Sequence, residues 1–386
     1  MPRTVKLTSV LAFALSLHAG APRVFAQSLN VVIQWNHIIQ TQFGTAPSNA
    51  QRSLSMMHIA MFDAINSIEE AYTPYLIRVR GSHGASPDVA GAAAARDVLT
   101  ALYPAQQAVF DAALAEQLKN VPRGHARQGL EIGRRAALAV LAWRQDDGWP
   151  PAITPDPTYV LPPFPGLWQP TPPANSFATF TFYPRVKPFA LLTSTQLLAA
   201  PPPTLTSARY AADLNETQLL GSATSAARTP DETLFAQLVA GINTTVGFLH
   251  VWNIVAGDVA ERHGLSLVDT ARLFALLNVS MHDGLQTSFT SKFTYATYCG
   301  TGPPPPAGAW EWAYRAVPQP SQWVKPVAQT SFWSKLGWSA AALGLTALTV
   351  VAVVSPFDGP AGDVAAGSAA VGAWGRVFAG AAAAGL

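Results

Sequence analysis

Cysteine is almost absent: a single one, Cys299, stands in 386 residues. No intramolecular disulfide and no thiolate cluster for zinc can therefore form, which excludes the disulfide-dense and zinc-finger classes. Charge is scarce as well. Only 12% of residues are Asp, Glu, Lys or Arg while 49% are apolar, a balance that supports a substantial buried core and excludes charge-driven disorder. Neither sign of charge dominates. The formal net charge is +2, and the first 26 residues hold Arg3, Lys6 and Arg23 without an acid, which leaves −1 for the remainder. A strongly basic nucleic-acid binder is thereby excluded. Glycine-rich phosphate loops, a Gly-x-Ser-x-Gly elbow and a His-Glu-x-x-His pair are all missing.

What is present begins with a targeting segment. Residues 1–26 combine a basic start (Arg3, Lys6), an apolar stretch from Leu7 to Leu17 and the small-residue site Val24-Phe25-Ala26, the physics of a signal peptide cleaved near Ala26. The apolar stretch is short for a bilayer core of about 30 Å. Export to the periplasm or the extracellular space is expected.

From Asn30 to Trp149 the pattern is helical with short breaks. Arg52 to Ile68 places Leu54, His58, Met61, Ile65 and Ile68 three and four residues apart, the stripe of a core-facing helix. Further helices are predicted over Val89–Leu102, Gln106–Leu118 and about Arg127–Arg144, each closed by Pro or Gly. Fifteen of the 32 prolines then fall between Pro150 and Pro203, interleaved with Tyr159, Phe164, Trp168, Phe180, Phe182, Tyr183 and Phe189. Flexible linkers seldom carry so much apolar surface, so the connection 150–206 is expected to pack onto the helices. Helices resume at Ser207–Leu220, Asp231–Ala240 and about Thr245–His263. Ser266, with Asp269 three residues on, predicts the N-cap of another, apolar on nearly every face and hence central.

Residues 300–386 differ in character. They hold seven charged side chains, no histidine, a run of four prolines after Gly302, and a charge-free segment, Leu336–Val354, long enough for a membrane span or a buried helix. The expected division is a leader at 1–26, a helical domain at 27–299 and this low-charge region.

Chemistry-bearing pairs are few. Glu69-Glu70 and Asp146-Asp147 are adjacent on the chain, so their carboxylates diverge and make poor acid–base couples. His58 with Asp63, and His282 with Asp283, lack the spacing of a helical zinc pair, and capping or core hydrogen bonding is the expected role. Cys299 has no basic neighbour to activate it.

Several segments, taken in order, carry a resemblance: Trp35-Asn36; Arg52-Ser53-Leu54-Ser55-Met56-Met57-His58-Ile59-Ala60-Met61-Phe62-Asp63-Ala64-Ile65-Asn66; Tyr103-Pro104; Pro165-Gly166-Leu167-Trp168; Lys187-Pro188-Phe189-Ala190; Asn215-Glu216; Arg228-Thr229; Trp252-Asn253; and Ala271-Arg272-Leu273-Phe274-Ala275-Leu276-Leu277-Asn278. Over about residues 30–298 the chain resembles the N-terminal half of secreted bacterial vanadium-dependent haloperoxidases of the type-2 phosphatidic acid phosphatase (PAP2) superfamily. The resemblance implies an all-α helical bundle around an oxyanion site that holds vanadate or phosphate. It implies halide oxidation by peroxide, or phosphate-ester hydrolysis, with a small anion and a small molecule as partners.

The family's site opens with Lys, six residues, then Arg-Pro. Lys292 matches the lysine and is the candidate vanadate contact, but Cys299-Gly300 stand where Arg-Pro is needed. The two histidines that the family places downstream are also absent, because the last of eight is His282. No catalytic residue is identifiable, and the chain as written is expected to bind vanadate weakly and to be inactive. A reading-frame shift near codon 298 accounts for the sudden change in composition; genuine divergence of the C-terminal region is the rival account. Other expectations from the residues are a non-catalytic helical scaffold presenting the aromatic segment, and a protein tethered to a membrane through 336–354.

Overall fold

A computed structural model describes residues 30–43, 47–80, 84–163, 167–170, 175–221, 225–233 and 248–296. The leader, Cys299, the region 300–386 with its apolar segment, and most of the helix expected at 231–240 lie outside the described residues.

The described residues are all-α. Helices α1 (Val31–Phe43), α2 (Pro47–Glu69), α3 (Pro87–Leu102), α4 (Gln107–Leu118) and α5 (Arg123–Trp143) come first, and α6 (Ala208–Gly221), α7 (Phe248–Arg262) and α8 (Leu267–Tyr295) follow the proline-rich connection. No helix among them is long and apolar enough to cross a membrane. Proline marks several starts. Pro87 sits in the first turn of α3 behind Ser86, whose hydroxyl accepts from the N–H of Val89 at 3.3 Å, and Pro122 precedes α5. Helices α2, α3 and α5 consequently begin a few residues earlier than periodicity placed them.

Two helices, rather than one, are central. Every side chain from Ser53 to Phe62 on α2 is buried, and α8 carries buried residues from Val268 to Ser291 and is buried on every face from Asn278 to Gly284. Around them Val31, Trp35 and Ile39 of α1, Val98 and Leu99 of α3, Phe110 of α4 and Val140 of α5 complete the core. The closest crossing is that of α3 with α5. A Cβ on Gly133 would lie 2.4 Å from the Ala90 carbonyl oxygen, and one on Gly129 would lie 2.8 Å from that of Ser86. Glycine is required there because the two backbones touch.

The described part of the connection is ordered against the helices, as its aromatic content predicts. Tyr183, Val186 and Phe189 are buried, and an isolated antiparallel bridge joins Asp156 to Ala178. Helix α8 extends to Tyr295, so His282 lies mid-helix. The polar residues Gln286, Thr287, Thr290 and Ser291 of that last stretch are buried and follow no apolar periodicity.

Candidate functional site

Lys292, the one site residue the sequence singled out, occupies the last turn of α8 and lines a cleft of ≈130 Å³ together with Tyr159, Trp168, Phe177, Ala178, Thr179 and Phe293. Its ammonium group lies 5.7 Å from the centre of the Phe289 ring and 5.9 Å from that of Phe293, within reach of a cation–π attraction. Lys292 has no carboxylate partner among the described residues. The walls are tied to the helix end: the Trp168 N–H donates to the Ala296 carbonyl at 2.9 Å, and the Tyr295 hydroxyl donates to the Ala199 carbonyl at 2.6 Å.

Buried cross-links centre on Asp147. Arg144 is fully buried, with Nε donating to Asp147 Oδ2 at 2.8 Å and its Nη atoms to the carbonyls of Lys187 and Pro188. Arg52 donates to the same Asp147 oxygen at 2.8 Å and to the Arg144 carbonyl at 3.0 Å. Burial pushes the Asp147 carboxyl up, but the two guanidinium groups outweigh it and hold the group below the usual carboxylate range. The guanidinium of Arg144 also lies 3.9 Å from the centre of the Phe189 ring.

Asp63 and Asp283 do the same job in two places. Asp63 on α2 accepts from the N–H groups of Tyr75, Leu76 and Ile77 at 2.7 to 2.9 Å. Asp283 on α8 accepts from those of Phe189, Ala190 and Leu191 over the same range. Proline precedes each triplet, as Pro74 and as Pro188. The flanks also correspond: Ser67 and Thr287 each donate to the carbonyl of their own aspartate, while the side-chain amides of Asn66 and Gln286 donate to Tyr72 O and Tyr183 O. A signal for this recurrence exists in the sequence, in Met61-Phe62-Asp63-Ala64-Ile65-Asn66-Ser67 against Met281-His282-Asp283-Gly284-Leu285-Gln286-Thr287. Composition and helical periodicity do not expose it.

The charge environments of the two aspartates differ. Burial raises the Asp63 carboxyl to about 6, with its three N–H donors only partly opposing the rise. At Asp283 burial again pushes upward, but the His282 contact and the N–H groups of Phe189 and Leu191 more than reverse it.

His58 and His282 are core residues. Burial lowers His58 to about 3 and keeps it neutral, with Nε2 at 3.2 Å from Asn36 Oδ1 and the ring against Phe274. His282 is likewise lowered by burial, packs edge-on to Phe189, and has Nδ1 at 3.3 Å from Asp283. A second polar knot joins Asn253 and Asn278 by reciprocal amide bonds, with Gln51 and Ser55 donating to the Asn278 carbonyl. Glu69 and Glu70 are exposed at the end of α2. No group of three or more His, Cys, Asp or Glu among the described residues is placed to hold a metal ion.

Compared with solved structures, the chain matches the crystal structure of the first bacterial vanadium-dependent iodoperoxidase with a TM-score of 0.56 at 17% identity, over 70% of this chain and 69% of that one. It matches holo-type bacterial vanadium-dependent chloroperoxidase with a TM-score of 0.50 at 14% identity, over 66% of this chain and 62% of that one. The fold is that of the vanadium-dependent haloperoxidases. No protein-family model and no curated protein matches the sequence. For a haloperoxidase-type fold the relevant group is vanadate, and the described residues do not fit it. A tetrahedral oxyanion in a dry site requires several charge-assisted donors for its four oxygens. The cleft presents Lys292 alone among aromatic walls, while Arg52 and Arg144 are committed to Asp147.

Proposed function

We propose that the described helices are the scaffold of a haloperoxidase-like or acid-phosphatase-like oxyanion protein of PAP2 type, exported behind residues 1–26, and that the chain as written lacks a working catalytic centre. The observation that carries the family-level reading is the fold likeness over 70% of the chain. The position of Lys292 in the lining of a cleft, without a carboxylate partner among the described residues, supports its descent from an oxyanion contact. The second clause is supported by the sequence, in which no histidine follows His282. Neither His58 nor His282 lines the cleft, and both are fully buried, so neither is placed to attack or protonate an anion bound there.

The test uses purified full-length protein with bromide or iodide, hydrogen peroxide and orthovanadate, and separately with an aryl phosphate ester. No turnover above a protein-free control is expected in either assay, and titration calorimetry with orthovanadate is expected to show no tight one-to-one binding. Vanadate-dependent halide oxidation would overturn the reading. Sequencing the coding DNA from codon 285 and translating all three forward frames tests its origin. A frame that supplies Arg-Pro after Tyr298 and two later histidines marks a frameshifted enzyme gene. The export part of the reading predicts a mature N-terminus at Gln27.

A further inference from the structure

The cleft that does not suit a tetrahedral oxyanion suits another ligand. Trp168, Tyr159 and Phe293 form a continuous wall, with ring centres 6.0 Å apart between the first pair and 5.2 Å between the second. Phe177 stands at the mouth, 51% exposed, and Thr179 adds a hydroxyl to the lining. The nearest acid across the local bridge, Asp156, is engaged by the side chains of Thr158 and Thr181 and does not line the cleft. Among the described residues the cleft is left with one cation and three packed rings.

The size also fits. An apolar cavity of about 150 Å³ holds one benzene ring, and this cleft of ≈130 Å³ opens at one side. A tetrahedral oxyanion such as vanadate would leave most of its four oxygens unmatched by a single ammonium group and would displace water from the rings without replacing its hydrogen bonds. A flat monoanion leaves no such surplus.

We propose that the Lys292 cleft binds a small aromatic carboxylate, its carboxylate paired with Lys292 Nζ and its ring against the Tyr159–Trp168–Phe293 wall. The inference shares with the proposed function the view that Lys292 contacts an anion, but it does not depend on haloperoxidase ancestry or chemistry.

The experiment is a titration of the full chain with benzoate, acetate, benzyl alcohol and orthovanadate, followed by calorimetry or ligand-observed NMR. Benzoate is expected to bind one-to-one at about 1 mM, the strength that its few heavy atoms allow, and acetate at least tenfold more weakly. Lys292→Met should weaken benzoate at least tenfold and leave benzyl alcohol unchanged. Phe177→Ala, at the solvent-facing mouth and so without cost to folding, should weaken both aromatic probes. Equal binding of acetate and benzoate, or indifference of benzoate to Lys292→Met in a variant with unchanged helical circular dichroism, overturns the proposal. Orthovanadate displacing benzoate at micromolar concentration overturns it too, and contradicts the predicted weakness towards vanadate. Halide oxidation without benzoate displacement would sink only the inactive-scaffold reading.

Discussion

Arg144 shows how a single residue can be central to this fold without being catalytic. Its guanidinium ties the end of α5 to Asp147 and to two carbonyls of the segment that Asp283 clamps. Arg144→Met should therefore destabilise the protein by about 3–5 kcal/mol, because Asp147 and both carbonyls lose a buried donor. Urea unfolding monitored by circular dichroism reads the loss, and a change below about 1 kcal/mol would contradict the network's role. Asp63 gives a pH signature. Its carboxyl is raised from 3.8 to about 6 in the folded protein, so the native state binds the proton more tightly than the unfolded chain does. The stability this contributes is complete below about 3.8 and is lost as pH rises through about 6. The advantage of the wild type over Asp63→Asn is thus expected to shrink between pH 4 and pH 7. An advantage that grows over that interval would show that the three N–H donors dominate over burial.

At the scale of elements, the crossing of α3 with α5 rests on two glycines that propensity alone would disfavour. Gly133→Ala drives a methyl group into the Ala90 carbonyl and is expected to cost about 1–3 kcal/mol. Gly124→Ala near the start of the same helix meets nothing within 4 Å and should be neutral or stabilising. Thermal melts of both variants separate backbone contact from helix propensity, since a common response would refute the close-packing account. The N-cap of α8 was legible in Ser266 and Asp269, and the structure has the Ser266 hydroxyl accepting from the Asp269 N–H at 3.2 Å. Ser266→Ala should cost about 1 kcal/mol, measurable as a lowered urea midpoint. The length of α8 was less legible. Beyond Met281 its buried positions are polar and find partners in the proline-rich connection, as Gln286 does at Tyr183 and Ser291 at Ala199. A hydrophobic stripe cannot report burial of that kind.

For the whole molecule, the helical class and the order of the family segments were visible in the chain, and the fold likeness agrees with both. Helical periodicity and capping are local properties, set by spacing within a few turns, so the sequence alone determines that α2 and α8 form and where α3 stops. It also determines which groups are missing, since no folding can supply a histidine beyond His282. The roles of the residues that are present were decided only in three dimensions. Trp35-Asn36, His58, Trp252-Asn253 and Asn278 read as family landmarks. The structure turns Asn36, His58, Asn253 and Asn278 into two buried hydrogen-bonded knots, while Trp252 stays 41% exposed. Lys187-Pro188-Phe189 read as a further landmark of the resemblance and became the clamped segment held by Asp283 and Arg144. Each of these roles depends on partners far along the chain brought within 3 Å or so, and on the loss of water that makes an unpaired polar group costly there. Sequence spacing carries neither the pairing nor the dehydration, so only tertiary structure could show which of these residues hold the fold together.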